Sequence, residues 1–318
     1  MKKVSSTGSS TNSTNQESFG KFDFVKNIKI FGGLSLFFVV LSFIYLSIHG
    51  ISWGIDFIGG TEIQVKFSQA VEIEKLRAVV ETQKVIHPEI QSFGSDEFVI
   101  RFQMPKKQTE KEVNEEIQKA VVGLKDSISK EFASSQPDYR RIDSVGPQVG
   151  AELKRNGFLS VFYCLLVILI YVGLRFDYKY APGAVVCLFH DAVITLAIFV
   201  LVGKEINVPI LAAILTLIGY SLNDTIVVFD RIRETEHEYS KSGIGFIVNK
   251  AINDMLTRTL ITSGTVLTSA VTLWLLADGT VSDICFALTI GIIFGTYSSI
   301  YVAAPFVMFF DRSHSKTA

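Results

Sequence analysis

The chain has 318 residues, 48% hydrophobic and 19% charged, with a net charge of -1. This excludes a disordered chain, which lacks apolar mass, a disulfide scaffold, because three cysteines are sparse at this length, and a globally basic nucleic-acid binder. Residues 50–156 carry 15 basic and 17 acidic side chains, 32 of the chain's 61. One third of the length therefore holds more than half the charge, and the remainder holds long uncharged runs.

In chain order, residues 4–17 are rich in Ser, Thr, Asn and Gln and read as a disordered tail. A membrane-crossing helix takes about 20 apolar residues, at about 1.5 Å each across a hydrocarbon core of roughly 30 Å. Six runs qualify: 30–53, 156–174, 180–203 with Asp191 inside it, 206–229 with Asp224 inside it, 259–277 and 284–310. The expected division is a cytoplasmic tail at 1–29, a first span at 30–49, an external domain at 50–156, a five-helix bundle at 157–310 and a cytoplasmic tail at 311–318. Positive charge in short loops sets the orientation. Lys2, Lys3, Lys21, Lys26, Lys29, Arg175, Lys179, Arg231, Arg233, Lys241, Lys250, Arg258, Arg312 and Lys316 fall on one side, against Lys204 on the other. Both termini are thus expected in the cytoplasm. The first apolar run is too long for a cleaved signal and no A-x-A-like site follows, so it reads as an uncleaved anchor.

In the external segment, Ile63, Val65 and Phe67 alternate as a half-buried strand. Ile73, Leu76 and Val80 follow helical spacing. Segments 90–93 and 97–103 flank Gly94-Ser95-Asp96 as a hairpin. Val113, Ile117, Val121, Leu124 and Ile128 mark one face of a long helix, and a last strand covers 139–145. The order β-α-β-β-α-β is the ferredoxin-like pattern. No Ser/His/Asp set, cysteine or metal-ligand spacing occurs there. His87, before a proline, reads as a surface or turn residue, so neither enzyme chemistry nor a metal or other cofactor is expected.

Charges in hydrocarbon cost roughly 2.5–3.5 kcal/mol on insertion scales, so each needs a reason. Asp224 lies six residues before Asp230, about 9 Å deep by helical rise, on a face with Tyr220, Ser221 and Arg231. Asp191 follows His190 and shares a face with Cys187 and Thr195. Arg258, Thr262, Thr265, Ser269 and Thr272 form a polar stripe. Ala287, Gly291, Gly295 and Ser298 form a small-residue stripe suited to close helix packing. Cys164, Cys187 and Cys285 all lie in spans and read as packing residues. A buried carboxylate near Arg258 or Arg231 can switch protonation as its surroundings change, as a proton relay requires. The connector 231–258 carries Phe246, Val248, Ile252 and Met255 at roughly helical spacing and reads as a membrane-surface segment.

Several segments, taken together, resemble the SecD/SecF family. They are Gly54-Ile55-Asp56-Phe57-Ile58-Gly59-Gly60-Thr61 after the first span, Val145-Gly146-Pro147-Gln148-Val149-Gly150, Phe189-His190-Asp191, Ser221 through Glu234 ("SLNDTIVVFDRIRE"), Arg258-Thr259-Leu260 and Gly295 through Ile300. The wording of the fourth and the six-span length look like the SecF branch. The resemblance implies an RND-like half of six transmembrane helices with a ferredoxin-like domain. It also implies a bacterial inner-membrane subunit that works with SecD and the SecYEG translocon, with YajC and YidC as further neighbours. On this reading it helps move unfolded preproteins using the proton gradient. It further implies Asp224 as the proton carrier and Arg258 as its cation. From the residues themselves, Asp191 is a further relay candidate, Gly291, Gly295 and Ser298 are helix-packing residues, and the stripe around Gly291 and Gly295 is expected at the surface between the two halves. One departure is Asp254, a turn before Arg258, which would compete for that arginine. Residues 54–61 read as a tight turn from membrane to strand with Asp56 as a turn-stabilising or interfacial carboxylate, since no Lys-Ser/Thr helix follows to make a phosphate loop. Two other functions fit the pattern less fully: a homodimeric RND-like exporter of small molecules or lipids, and an intramembrane aspartyl protease, whose Gly-x-Gly-Asp motif is absent.

Overall fold

The computed structural model describes residues 21–83, 85–92, 94–103 and 110–314. The tail expected at 4–17 lies outside them, as do the side chains of His87 and Val113. Helix α1 (Phe24–His49) begins six residues before the first apolar run because the Asp23 carboxylate accepts from the Lys26 N–H at 2.9 Å, capping it. A four-residue helix α2 (Ile55–Ile58) leads into strand β1 (Gly60–Lys66). Helix α3 (Ile73–Glu81), strands β2 (Ile86–Ser92) and β3 (Glu97–Gln103), helix α4 (Glu110–Glu131) and strand β4 (Asp138–Val145) complete the external domain. Helices α5 (Pro147–Arg175), α6 (Ala181–Leu201), α7 (Val208–Glu238), α8 (Ile244–Leu276) and α9 (Gly279–Ser298) follow. The last continues through a π-helical turn, Ser299–Ala303, into α10 (Ala304–His314). Among the described residues, six helices are long and apolar enough to cross a membrane.

The four strands pair antiparallel in the order β2-β3-β1-β4, the ferredoxin-like arrangement expected. Alternation divides the sheet. Ile63, Val65, Ile100 and Phe102 turn under α3 and α4, where they pack with Leu76, Val80, Leu124 and Ile128. The opposite face carries Glu62, Gln64, Arg101 and Arg141 and meets the outer loops of the bundle. Arg101 pairs with Glu62 at 2.7 Å and with Glu205 in the α6–α7 loop. Arg141 donates to the Thr280 hydroxyl at the start of α9 at 3.1 Å.

Two expected boundaries shift. Pro147 starts α5, so residues 147–156 belong to the helix of the second span and not to the external domain. The connector 231–258 is not a membrane-surface segment: α7 and α8 simply extend past the apolar region. Ile247, Val248, Ala251 and Ile252 are buried in the main core with Phe229, Val307 and Met308, which supply the apolar cover. The Asn249 side chain accepts from the Phe24 N–H at 2.8 Å and donates to the Phe22 carbonyl at 3.1 Å, tying the start of α1 to α8.

The glycine-rich segment is stitched to the bundle. Gly54 N–H donates to the Ile206 carbonyl and Ile206 N–H to that of Ser52, both at 2.8 Å. The Asp56 carboxylate accepts from Val208 N–H at 2.9 Å, so this turn carboxylate caps a distant helix, α7. Gly59 has φ of +75°, and an added Cβ would stand 2.7 Å from the Pro147 Cα. Only glycine allows that approach. Gly59→Ala should lower the unfolding midpoint of the purified protein, a loss of about 1–3 kcal/mol, while Gly146→Ala, with open space around its Cβ, should lower it clearly less, by the weaker N-cap of α5 alone. Equal midpoints for the two variants would contradict the packing account.

Burial pushes the Glu205 carboxyl above its ordinary 4.5; Arg101 pulls it down, and Glu62 and Glu89 push it up again. Folding thus makes this proton harder to remove than in the unfolded chain, and the stability Glu205 contributes is full below the unfolded value and falls as pH rises through the folded one. Removing the cation by Arg101→Gln should raise the Glu205 titration midpoint further, read by carboxyl ¹³C NMR. A lowered or unchanged midpoint would contradict this assignment.

Candidate functional site

Helix α6 carries Asp191 into the centre of the bundle, where it is fully buried. Its Oδ2 accepts from the hydroxyls of Ser221 on α7 at 2.5 Å and Ser298 on α9 at 2.9 Å. Its Oδ1 lies 2.8 Å from His190 Nδ1, and His190 Nε2 lies 2.6 Å from the Ser35 hydroxyl of α1. With the ring proton on Nδ1, the imidazole donates to the carboxylate and accepts from Ser35. The Cys187 thiol donates to Ser298 Oγ at 3.1 Å and lies 3.7 Å from Thr225 Oγ1. One polar chain thus joins α1, α6, α7 and α9. The expected His190 partner is present. Thr195, on the expected face, is buried without a hydrogen-bond partner among the described residues.

Glycine spacing makes this convergence possible. An added Cβ at Gly295 would stand 3.3 Å from Ser221 Oγ and 3.5 Å from Asp191 Oδ2, and one at Gly291 only 2.2 Å from Leu217 of α7. The stripe of Ala287, Gly291, Gly295 and Ser298 is therefore packed inside this chain, not on a surface between two halves. The reason is steric: Leu217 occupies the groove that the missing side chains leave.

Asp224 is 3% exposed and faces a different helix. The Ser263 hydroxyl of α8 donates to its Oδ2 at 2.9 Å, and the Tyr220 hydroxyl lies 3.5 Å from that serine. The one polar face expected on α7 is in fact two. Ser221 and Thr225 look toward α6, while Tyr220 and Asp224 look toward α8. No hydrogen bond joins Asp191 to Asp224 among the described residues, so the shared-proton pair of an aspartyl protease is not assembled here.

The two candidate cations also separate. Arg231 pairs with Asp254 at 2.6 Å, and Lys250 reaches the same carboxylate at 3.5 Å. Asp254 is thereby satisfied without Arg258. Arg258 is exposed, its charge acts on Asp224, and it makes no ion pair among the described residues. The rest of its stripe is exposed too. Thr262, Thr265, Ser269 and Thr272 return their hydroxyls to carbonyls of their own helix at 3.0, 2.8, 3.1 and 2.8 Å. They leave a polar seam on the outside of α8. Ser263, which meets Asp224, sits off that stripe, so the stripe does not point to it; Ser35 shares a face of α1 with Ser42 seven residues on, both buried, a spacing the sequence reading above does not use. The three cysteines are free, and Cys187 belongs to the polar chain in addition to the packing.

Residues 125–313 match the C-terminal family of SecD/SecF protein export membrane proteins, and residues 44–71 match the SecD/SecF GG motif. The chain is 35% identical over 297 residues to the protein translocase subunit SecF of Rickettsia prowazekii, covering 93% of each chain. It is 38% identical to that of Vibrio alginolyticus, covering 90% of this chain and 88% of that one. Among solved structures it is similar to SecDF, a translocon-associated membrane protein from Thermus thermophilus, with a TM-score of 0.79 and 31% identity. That match covers 92% of this chain and spans only 39% of the SecDF chain.

Gly291→Ala should overpack the α7–α9 contact and cost about 1–3 kcal/mol, measured as thermal unfolding in detergent. Adding Leu217→Ala should recover most of that loss, because the cavity it opens admits the new methyl group. Additive losses in the double variant would show that Gly291 is required for some other reason.

Proposed function

The chain belongs to the SecD/SecF family of protein export membrane proteins, and from that premise we propose that it is the SecF half of a proton-driven translocation motor. It works with a SecD partner to promote export of unfolded preproteins through the SecYEG channel, with YajC and YidC as neighbours. It resides in the inner membrane with both termini in the cytoplasm and acts as a transport subunit, not an enzyme. Asp224 carries the proton.

The observation that carries this reading is the unequal treatment of the two buried carboxylates. Asp191 receives two hydroxyls and an imidazole and is held fixed. Asp224 receives a single hydrogen bond among the described residues, from Ser263 of α8. Ionised, it is drawn to Ser263 and to the charge of Arg258; protonated, it loses the attraction to Arg258. Each proton taken up or released therefore changes the preference of α7 for one position of α8. A two-state helix contact amplifies such a local charge change. The polar seam from Arg258 to Thr272 supports a partner in the membrane, since a row of hydroxyls beside an arginine favours a polar neighbour over lipid. The span of this chain, 39% of the solved SecDF chain, fits one half of a two-part assembly.

Asp224→Asn should assemble with its partner as the parent does. It should reduce proton-gradient stimulation of preprotein uptake into inverted membrane vesicles to the level seen with an uncoupler. Undiminished stimulation would overturn the proton-carrier role. Recovery of the chain as a homodimer without a second six-span subunit would favour an exporter of small molecules or lipids.

A further inference from the structure

An apolar groove of about 330 Å³ opens on the outside of the bundle between α5 and α6, with α7 behind it. Its wall runs from Trp53 and Lys154 at the mouth, past Phe158 and Leu196, to Leu165 and Phe189 at its deep end. The eleven residues from Lys154 to Leu165 advance about 16 Å along α5, close to one leaflet of a hydrocarbon core of roughly 30 Å. The groove thus extends from the membrane surface on the side of the α/β domain to the middle of the bilayer.

From these features we propose that the groove binds one acyl chain of an anionic phospholipid, with Lys154 holding the headgroup phosphate. A volume of about 330 Å³ spread over that length leaves room for a hydrocarbon chain. Water does not fill it, because an ordered water needs two to four polar partners and the lining is almost wholly apolar. An engineered apolar cavity of about 150 Å³ already takes up benzene, so a larger one bathed in lipid has a ready occupant. The mouth fits the headgroup. Lys154 Nζ lies 4.2 Å from the Trp53 ring centroid, over its face, and makes no ion pair among the described residues. A lysine on an interfacial tryptophan presents its charge at headgroup level. Trp53 is itself fixed by edge contacts to Phe57 and Phe158 with ring centroids 5.4 and 5.7 Å apart. The proposal requires only the membrane location and is independent of the translocation reading.

The test uses the full-length chain in nanodiscs of phosphatidylglycerol and phosphatidylcholine, with a diazirine probe in mid-chain of either lipid. The phosphatidylglycerol probe should label peptides containing Phe158 or Leu196, and native mass spectrometry should find one lipid retained after delipidation. Ala192→Phe, which fills the groove, should abolish the labelling while the protein stays monodisperse. Lys154→Gln should keep the labelling but lower the preference for phosphatidylglycerol about fivefold, the ratio that corresponds to roughly 1 kcal/mol per surface lysine. Labelling spread evenly over all lipid-facing helices would overturn the proposal. So would labelling unaffected by Ala192→Phe, or equal retention of both lipids by the parent chain. Should Ala192→Phe fail to fold, the labelling map and the Lys154→Gln preference decide the matter by themselves.

Discussion

A carboxylate placed in hydrocarbon must find its hydrogen-bond donors within the protein, and the bundle is arranged around meeting that demand at Asp191. Three donors from α6, α7 and α9 converge on its two oxygens, and His190 passes the chain on to Ser35 of α1. Much of the local sequence follows from that convergence. Gly295 has no side chain because one would press on Ser221 and the carboxylate. Gly291 has none because Leu217 stands there. Ser298 is the last residue before the π-helical turn, where a changed helical pitch is accommodated next to the site. A bundle so constrained has one arrangement of α6, α7 and α9, and it presents the outer side of α7 as a fixed surface for α8.

That fixed surface gives Asp224 its character. It sits one turn from the rigid contact at Ser221, yet its own partner, Ser263, belongs to the helix whose far side is left open with Arg258 and its hydroxyls. Helix α7 also reaches the external domain. Asp56, from the glycine-rich turn, caps its first turn, and sixteen residues, about 24 Å of helix, separate that cap from Asp224. The ion pairs of Arg101 with Glu62 and Glu205 hold the sheet to the loop just before the same helix. Movement of α7 against α8 is therefore mechanically connected to the domain outside the membrane.

The architecture was legible in the sequence because its signals are long-range averages: six uncharged runs, and a two-to-helical alternation of period between residues 60 and 145. The boundaries were less so. Asp23 starts α1 ahead of the apolar run and Pro147 starts α5 inside the polar segment, and capping chemistry decides both. The apolar residues of 244–255 looked like a membrane-surface face because their cover, from α7 and α10, comes from distant sequence. At the site, the rarity of charge in the spans singled out Asp191 and Asp224. Their donors were hidden because serine and threonine occur throughout these helices, and only three-dimensional convergence separates Ser221, Ser263 and Ser298 from hydroxyls that bond back to their own helix. The same limit placed the glycine stripe on an outer surface: spacing shows that a helix can be approached closely, but not by which neighbour.

The central claim is that the two buried carboxylates divide the work, Asp191 holding the bundle and Asp224 exchanging the proton. Infrared difference spectroscopy of the membrane-embedded protein during a pH jump tests it directly, by following the C=O stretch of a protonated carboxyl group. The account predicts a band that disappears in Asp224→Asn and persists in Asp191→Asn. A band that survives Asp224→Asn and vanishes with Asp191→Asn would contradict it.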